Sequence, residues 1–239
     1  VWDDPRTGLV TNHLKAESVR KEAEDSLRRL NVDVIDLYQI HWPVPDEDLE
    51  EAWEEIARLI EAGKVRYGGL SNASVEQIQR CQAVHPVASL QPPYSVLDRE
   101  VEDELLAYCA ENEIGVIAYS PMASGLLTGK YTRERVEAMP AEDWRLTKDS
   151  HFQESELDAN LELVKELKTI ASRRDRSVGE LAVAWVLRRP ELTAAIVGAR
   201  RPDQIEQIAP ASAWDLDPET LRDIDALLAG RDQRVAAAA

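Results

Sequence analysis

His41 is the first residue in this sequence placed where it could do chemistry. It closes the apolar run of "VDVIDLYQIHWPVP" (32–45), where Val34, Ile35, Leu37, Tyr38 and Ile40 have the density of a strand buried on both faces. Pro43 and Pro45 stop that strand. An imidazole beside a core is costly unless it has partners. Four more apolar runs end in the same way: on Ser71 and Asn72, on Gln91, on Tyr119 and Ser120, and on Gly198 with Arg200. Each run contributes one set of functional groups.

The elements that must position these groups alternate. Apolar periodicity predicts helices over 16–30, 47–62, from Ser74 onward, 100–113, 156–174, 178–189, 202–209 and 218–228. Strands are expected at 34–40, 65–71, 87–91, 115–121 and 193–199. Ser74 with Gln77 and Ser177 with Glu180 read as capping boxes, Gly63 as a helix stop, and Asp217 with Pro218 as a helix start. Strands separated by amphipathic helices mean an α/β parallel sheet with helical crossovers. A doubly wound sheet would carry a Gly-rich phosphate turn after its first strand, and none is present. A (β/α)8 TIM-type barrel is therefore expected, with its chemistry at the C-terminal strand ends. Five β/α units are visible, so a single barrel domain over 1–239, incomplete at its N-terminus, is expected. The stretch 131–155 reads as an irregular loop after the fourth visible strand.

Composition removes several classes of function. The chain of 239 residues has 28 basic and 45 acidic side chains, a net charge of −17, which argues against nucleic-acid and anionic-membrane surfaces. No apolar run approaches a membrane span, and neither a leader nor a signal-like core is evident, so a cytoplasmic protein is expected. Cys81 and Cys109 fall in amphipathic helices and read as reduced core thiols. "GLLTGKY" (125–131) is one residue short of a P-loop and lacks Ser or Thr after Lys130. No spacing suits zinc, and no metal is expected. Acidic runs such as "DEDLEEAWEE" read as solvated helix faces, and His13, His85 and His151 as residues of polar loops.

Five segments carry a resemblance in register: "LYQIHWP", "GKVRYGGLSN", "SLQPPYS", "IAYSPMASGLLTGKY" and "IVGARRPDQIEQ". They resemble the successive signatures of the aldo-keto reductase superfamily, from residue 1 to about 228. The resemblance implies a (β/α)8 barrel that reduces a small-molecule aldehyde or ketone with NADPH, without metal or flavin. It makes His41 the catalytic histidine that orients the substrate carbonyl. It assigns Ser71, Asn72 and Gln91 to the nicotinamide carboxamide, a group that needs both donors and acceptors. It assigns Tyr119 to stacking on the nicotinamide ring. Ser120, Met122, Ser124, Gly125, Leu126 and Lys130 fall on the loop over the pyrophosphate. Gly198, Ala199 and Arg200 precede a helix whose N-terminus favours an anion. Arg200 or Arg201 would pair with the 2′-phosphate of NADP(H). Gln204 and Gln207 match positions around the adenine nucleotide, and Trp42 a wall of the substrate pocket or a core contact.

Two departures stand out. The family usually has Asn where this sequence has Ile208. Of the family's tetrad of Asp, Tyr, Lys and His, only the His has a match, since the other three fall before "VWDDPRTG". The chain is therefore expected to be N-terminally truncated and inactive by itself. The alternative is a non-catalytic NADP(H)-binding regulatory subunit of the same fold. The sequence defines no oligomeric state.

Overall fold

Local signals set most of the helices. The computed structural model describes residues 2–4, 9–10 and 13–238. Strands β1 (Trp2–Asp4) and β2 (Leu9–Val10) pair antiparallel, in a stretch where sequence periodicity predicts neither. Helix α1 (Ala16–Leu30) buries Val19 and Ala23 and ends on Asn31 at φ 55°. Strand β3 (Ile35–Ile40) follows, then α2 (Leu49–Glu61), introduced by a 3₁₀ turn at Asp46–Asp48. Gly63, at φ 69°, turns the chain after α2 into β4 (Val65–Ser71). Helix α3 (Val75–Gln82) opens on a two-way capping box, Gln77 N to Ser74 Oγ at 3.2 Å and Ser74 N to Gln77 Oε1 at 3.0 Å. Then come β5 (Ser89–Gln91), α4 (Leu105–Glu111) and β6 (Gly115–Tyr119).

The expected loop at 131–155 differs: it contains α5 (Arg133–Glu137) and α6 (Trp144–Lys148). Thr132 and Asp143 cap them, and five residues apiece are too few for apolar periodicity to register. Helix α7 (Glu154–Ser172) packs on α8 (Val178–Leu187), which is apolar except for its capping Glu180 and buried from Val178 to Val186. Strand β7 (Leu192–Ile196), α9 (Pro202–Ile208) and α10 (Pro218–Ala238) complete the chain. Helix α10 runs ten residues beyond its expected end at 228. Arg231 is 9% exposed and donates to Asn160 Oδ1 at 2.8 Å on α7, so packing overrides the helix-breaking tendency of Gly230.

The strands form a five-stranded sheet in chain order, β3-β4-β5-β6-β7, and the ladders from β3 to β6 are parallel. By residue contacts the chain divides into two compact units, Val1–Pro92 with Val101–Ile117, and Pro93–Glu100 with Ala118–Ala239. In the first, Trp53, Ile56, Leu70, Ile78, Leu90 and Leu106 are fully buried. Gly68 permits α2 to approach β4: a Cβ there would lie 2.8 Å from Ile56 Cγ2. The core of the second is built on Tyr94, Leu126, Leu127, Leu163 and Trp185. Among the described residues, no helix is long and apolar enough to cross a membrane. Cys81 and Cys109 are buried free thiols, pushed up to about 12 and about 11 by burial.

Candidate functional site

Side chains two apart on a strand share a face. Gln39 and His41 therefore extend one face of β3, Gly69 and Ser71 one face of β4, and Ser89 and Gln91 one face of β5. Register aligns them in rows, Gln39 with Gly69 with Ser89, then Ser71 with Gln91. Ser71 Oγ donates to the Gln91 carbonyl at 2.7 Å, and Asn72 N donates to the same oxygen at 3.2 Å. Asn72 Nδ2 donates to the His41 carbonyl at 2.9 Å and to Ser71 Oγ at 3.1 Å. That bridge accompanies a left-handed backbone at Asn72, φ 58°, a conformation Asn tolerates better than most residues. Thus His41, Ser71, Asn72 and Gln91 form one hydrogen-bonded set at the ends of three adjacent strands.

The His41 ring is exposed and its nitrogens have no hydrogen-bond partner among the described residues. Its centroid lies 6.0 Å from that of Trp42, itself 45% exposed. A cavity of about 240 Å³ beside them is lined by His13, Glu22, Tyr38, Gln39, His41 and Trp42, among others. Burial pushes the Tyr38 phenol up to about 12.

In the second unit, Tyr119 ends β6 and its carbonyl accepts from Tyr94 N at 3.1 Å. Burial, then the charge of Asp98, raises the Tyr119 phenol. The following loop carries left-handed residues at Ser120 (φ 57°), Ala123 (43°), Ser124 (54°), Gly125 (93°) and Gly129 (69°). Non-glycine residues in that region store strain, which a surrounding tie must hold. Ser124 Oγ supplies one by donating to Asp149 Oδ2 at 2.6 Å. Leu126 is buried, while Lys130 is exposed.

Before α9, the Arg200 and Arg201 amides both donate to Gln204 Oε1, at 2.7 and 3.2 Å. Gln204 is therefore engaged as a local cap. The Arg201 guanidinium is held by Asp203 through two contacts of 2.9 Å. Arg200 is exposed, and its guanidinium has no partner among the described residues. Gly198, Ala199 and Gln207 are exposed as well. A Cβ on Gly179 would lie 3.1 Å from Ile208 Cδ1 and 3.7 Å from the Met122 sulfur, so Ile208 makes an apolar contact there.

Three side chains escaped sequence reasoning. Gln39 had a signal, its place two residues before His41. Asp149 had none for its reach to Ser124. The reading of His151 as a residue of a polar loop needs correction: it is 8% exposed, its Nε2 is 2.8 Å from Asp98 Oδ1, and its Nδ1 is 3.2 Å from Glu156. Burial lowers its pKa, but the hydrogen bond and charge of Asp98, with Glu156, outweigh that and raise it to about 9.

The sequence matches the Aldo/keto reductase family over residues 6–229. The chain belongs to this family. It is 38% identical over 226 residues to the aldo-keto reductase YhdN of Bacillus subtilis, covering 94% of this chain and 67% of that one. It is 32% identical to the aldo-keto reductase yakc of Schizosaccharomyces pombe, named with NADP(+), over 92% of this chain and 65% of that one. Among solved structures, the glycerol dehydrogenase AKR11B4 from Gluconobacter oxydans is similar at TM-score 0.89 and 36% identity, over 97% of this chain and 69% of that one. The chain thus spans about two thirds of the length of these relatives. Its fold is that of the aldo/keto reductase (β/α) barrel, represented here by five strands.

Proposed function

We propose that this chain carries the nicotinamide-holding and carbonyl-orienting groups of an oxidoreductase that moves hydride between NADPH and an aldehyde or ketone. The observation that carries this reading is the hydrogen-bonded set of His41, Ser71, Asn72 and Gln91 on adjacent strand ends. When bound, the nicotinamide supplies or accepts the hydride. Gln91 Oε1 is left as an acceptor suited to the N–H groups of a carboxamide, and Asn72 and Ser71 complete that recognition. By the family resemblance, Tyr119 would supply the aromatic face for the ring. His41 orients the substrate carbonyl, with Trp42 as a pocket wall. Met122, the glycine-bearing loop to Lys130, and Gly198 to Gln207 receive the phosphates and adenine.

A relative named with NADP(+) supports a 2′-phosphate on the cofactor. Arg200 is the better partner for it, because Arg201 is already engaged with Asp203. Replacing Arg200 with Ala is expected to weaken NADPH binding about ten- to a hundredfold, as loss of a charge-assisted contact should, with NADH binding little changed. Equal losses for both cofactors would make Arg200 structural.

Residues 1–239 by themselves are proposed to bind nucleotide without turnover. A tyrosine acid needs both a lowered pKa and access to substrate: burial raises the Tyr38 and Tyr119 phenols, and Tyr94, whose hydroxyl accepts from Arg188 Nη1 at 2.8 Å, is fully buried. This supports inactivity of the chain taken alone within the oxidoreductase reading, and does not bear on the regulatory-subunit alternative. Titration with NADPH should change nicotinamide fluorescence, and added aldehyde should consume no NADPH at enzymatic rates. Failure to bind NADPH would sink the cofactor reading; ordinary turnover would sink the argument on the acid.

A further inference from the structure

Gln39 belongs to none of the nucleotide-binding positions, yet it is the side chain that fixes Gln91. Register places Gln39 level with Gly69, and Gly69 level with Ser89. Because Gly69 has no side chain, its neighbours meet across it: Gln39 Nε2 donates to Ser89 Oγ at 3.1 Å. A Cβ at position 69 would stand 2.2 Å from that oxygen. Toward the strand ends, Gln91 Nε2 donates to Gln39 Oε1 at 3.0 Å. Ser89 is 5% exposed, so water does not readily replace the anchor of this relay. With its Nε2 committed, Gln91 keeps Oε1, which has no partner among the described residues.

We propose that Gln39 is a positioning residue that holds the Gln91 amide with its oxygen outward, so that the site selects nucleotides whose ring bears a carboxamide. This rests on the nicotinamide reading of Gln91. An amide turned the other way would set N–H against the N–H groups of the ligand, donor facing donor. Leu at position 39 releases the Gln91 amide to rotate and leaves its Nε2 without an acceptor. Glu at position 39 keeps the acceptor, and Ser89 Oγ can donate to the carboxylate.

Calorimetric titration with two probes tests this: NADPH, and 2′-phospho-ADP-ribose, which retains the ribose, phosphates and adenine but has no nicotinamide. Q39L is expected to weaken NADPH about three- to tenfold, the scale of one lost hydrogen bond with its partner left unsatisfied, and to leave 2′-phospho-ADP-ribose unchanged. Q39E should restore NADPH binding. Equal weakening of both probes, or a Q39E variant as poor as Q39L, overturns the proposal. Should Q39L not fold, S89A removes the anchor of Gln39 and is read with the same two probes. A wild-type protein that binds 2′-phospho-ADP-ribose as tightly as NADPH refutes the nicotinamide reading itself, independently of Gln39.

Discussion

Replacing His41 with Leu is expected to lower kcat/KM for an aldehyde by about 10²–10³-fold, the scale of one lost donor aimed at a developing oxyanion. The enzyme measured is one in which this chain acts with the family's Tyr, Lys and Asp. The expectation follows from how His41 is held. Its backbone carbonyl accepts from Asn72 Nδ2 at 2.9 Å, so its place is set by the main chain. The ring is exposed, and neither nitrogen has a partner among the described residues. Such an imidazole can bond an incoming oxygen without first breaking an internal contact. Substitution leaves the backbone tie intact, so NADPH affinity should hardly change. A loss of NADPH affinity as large as the loss of kcat/KM would show that the side chain supports the nucleotide site instead.

The second large effect is on stability. Burial lowers the His151 pKa, but Asp98 and Glu156 outweigh that and raise it from its ordinary value of 6.5 to about 9, so folding favours its charged form. The stabilisation is fully present below about pH 6.5 and is lost as pH rises through about 9, on the order of 3 kcal/mol for the protonated pair. Asp98 is held below the usual carboxylate range: burial opposes its charge, but the hydrogen bond and charge of His151 outweigh that. Its share is present above about pH 4, near the ordinary Asp value, and is lost as pH falls through the lowered one. Glu156 also faces His151 and is shared with Arg231. Urea denaturation between pH 6.5 and 10 should show falling stability in the wild type. His151→Gln should be less stable at pH 6.5 and vary less across that range. Parallel pH profiles for the two proteins would remove His151 as the cause. Asp149, two residues before it, accepts from Ser124, so the same segment braces the strained loop after β6.

Much of this fold is written in local sequence. Helix 16–30 and strand 65–71 form where expected because apolar spacing and end signals act within a few residues. The capping boxes at Ser74 and Ser177 close between residues three apart, so nothing distant decides them. The strand-end positions of His41, Ser71, Asn72 and Gln91 are legible for the same reason, since an apolar run and its polar stop are adjacent in the chain. Their joining is not. The contact from Gln39 to Ser89 spans 50 residues and exists only because register puts the bare Gly69 between them. Likewise, His151 is a solvated loop residue by its neighbours in sequence, and a buried cation only because folding brings Asp98 against it from 53 residues away. Packing also decided that α10 continues through Gly230, that Ile208 meets Gly179, and that Arg201 is engaged with Asp203 while Arg200 remains available. Periodicity and caps report short-range hydrogen bonds and which face is apolar. Which polar groups satisfy one another is settled by partners distant in the chain, and that only the tertiary structure decides.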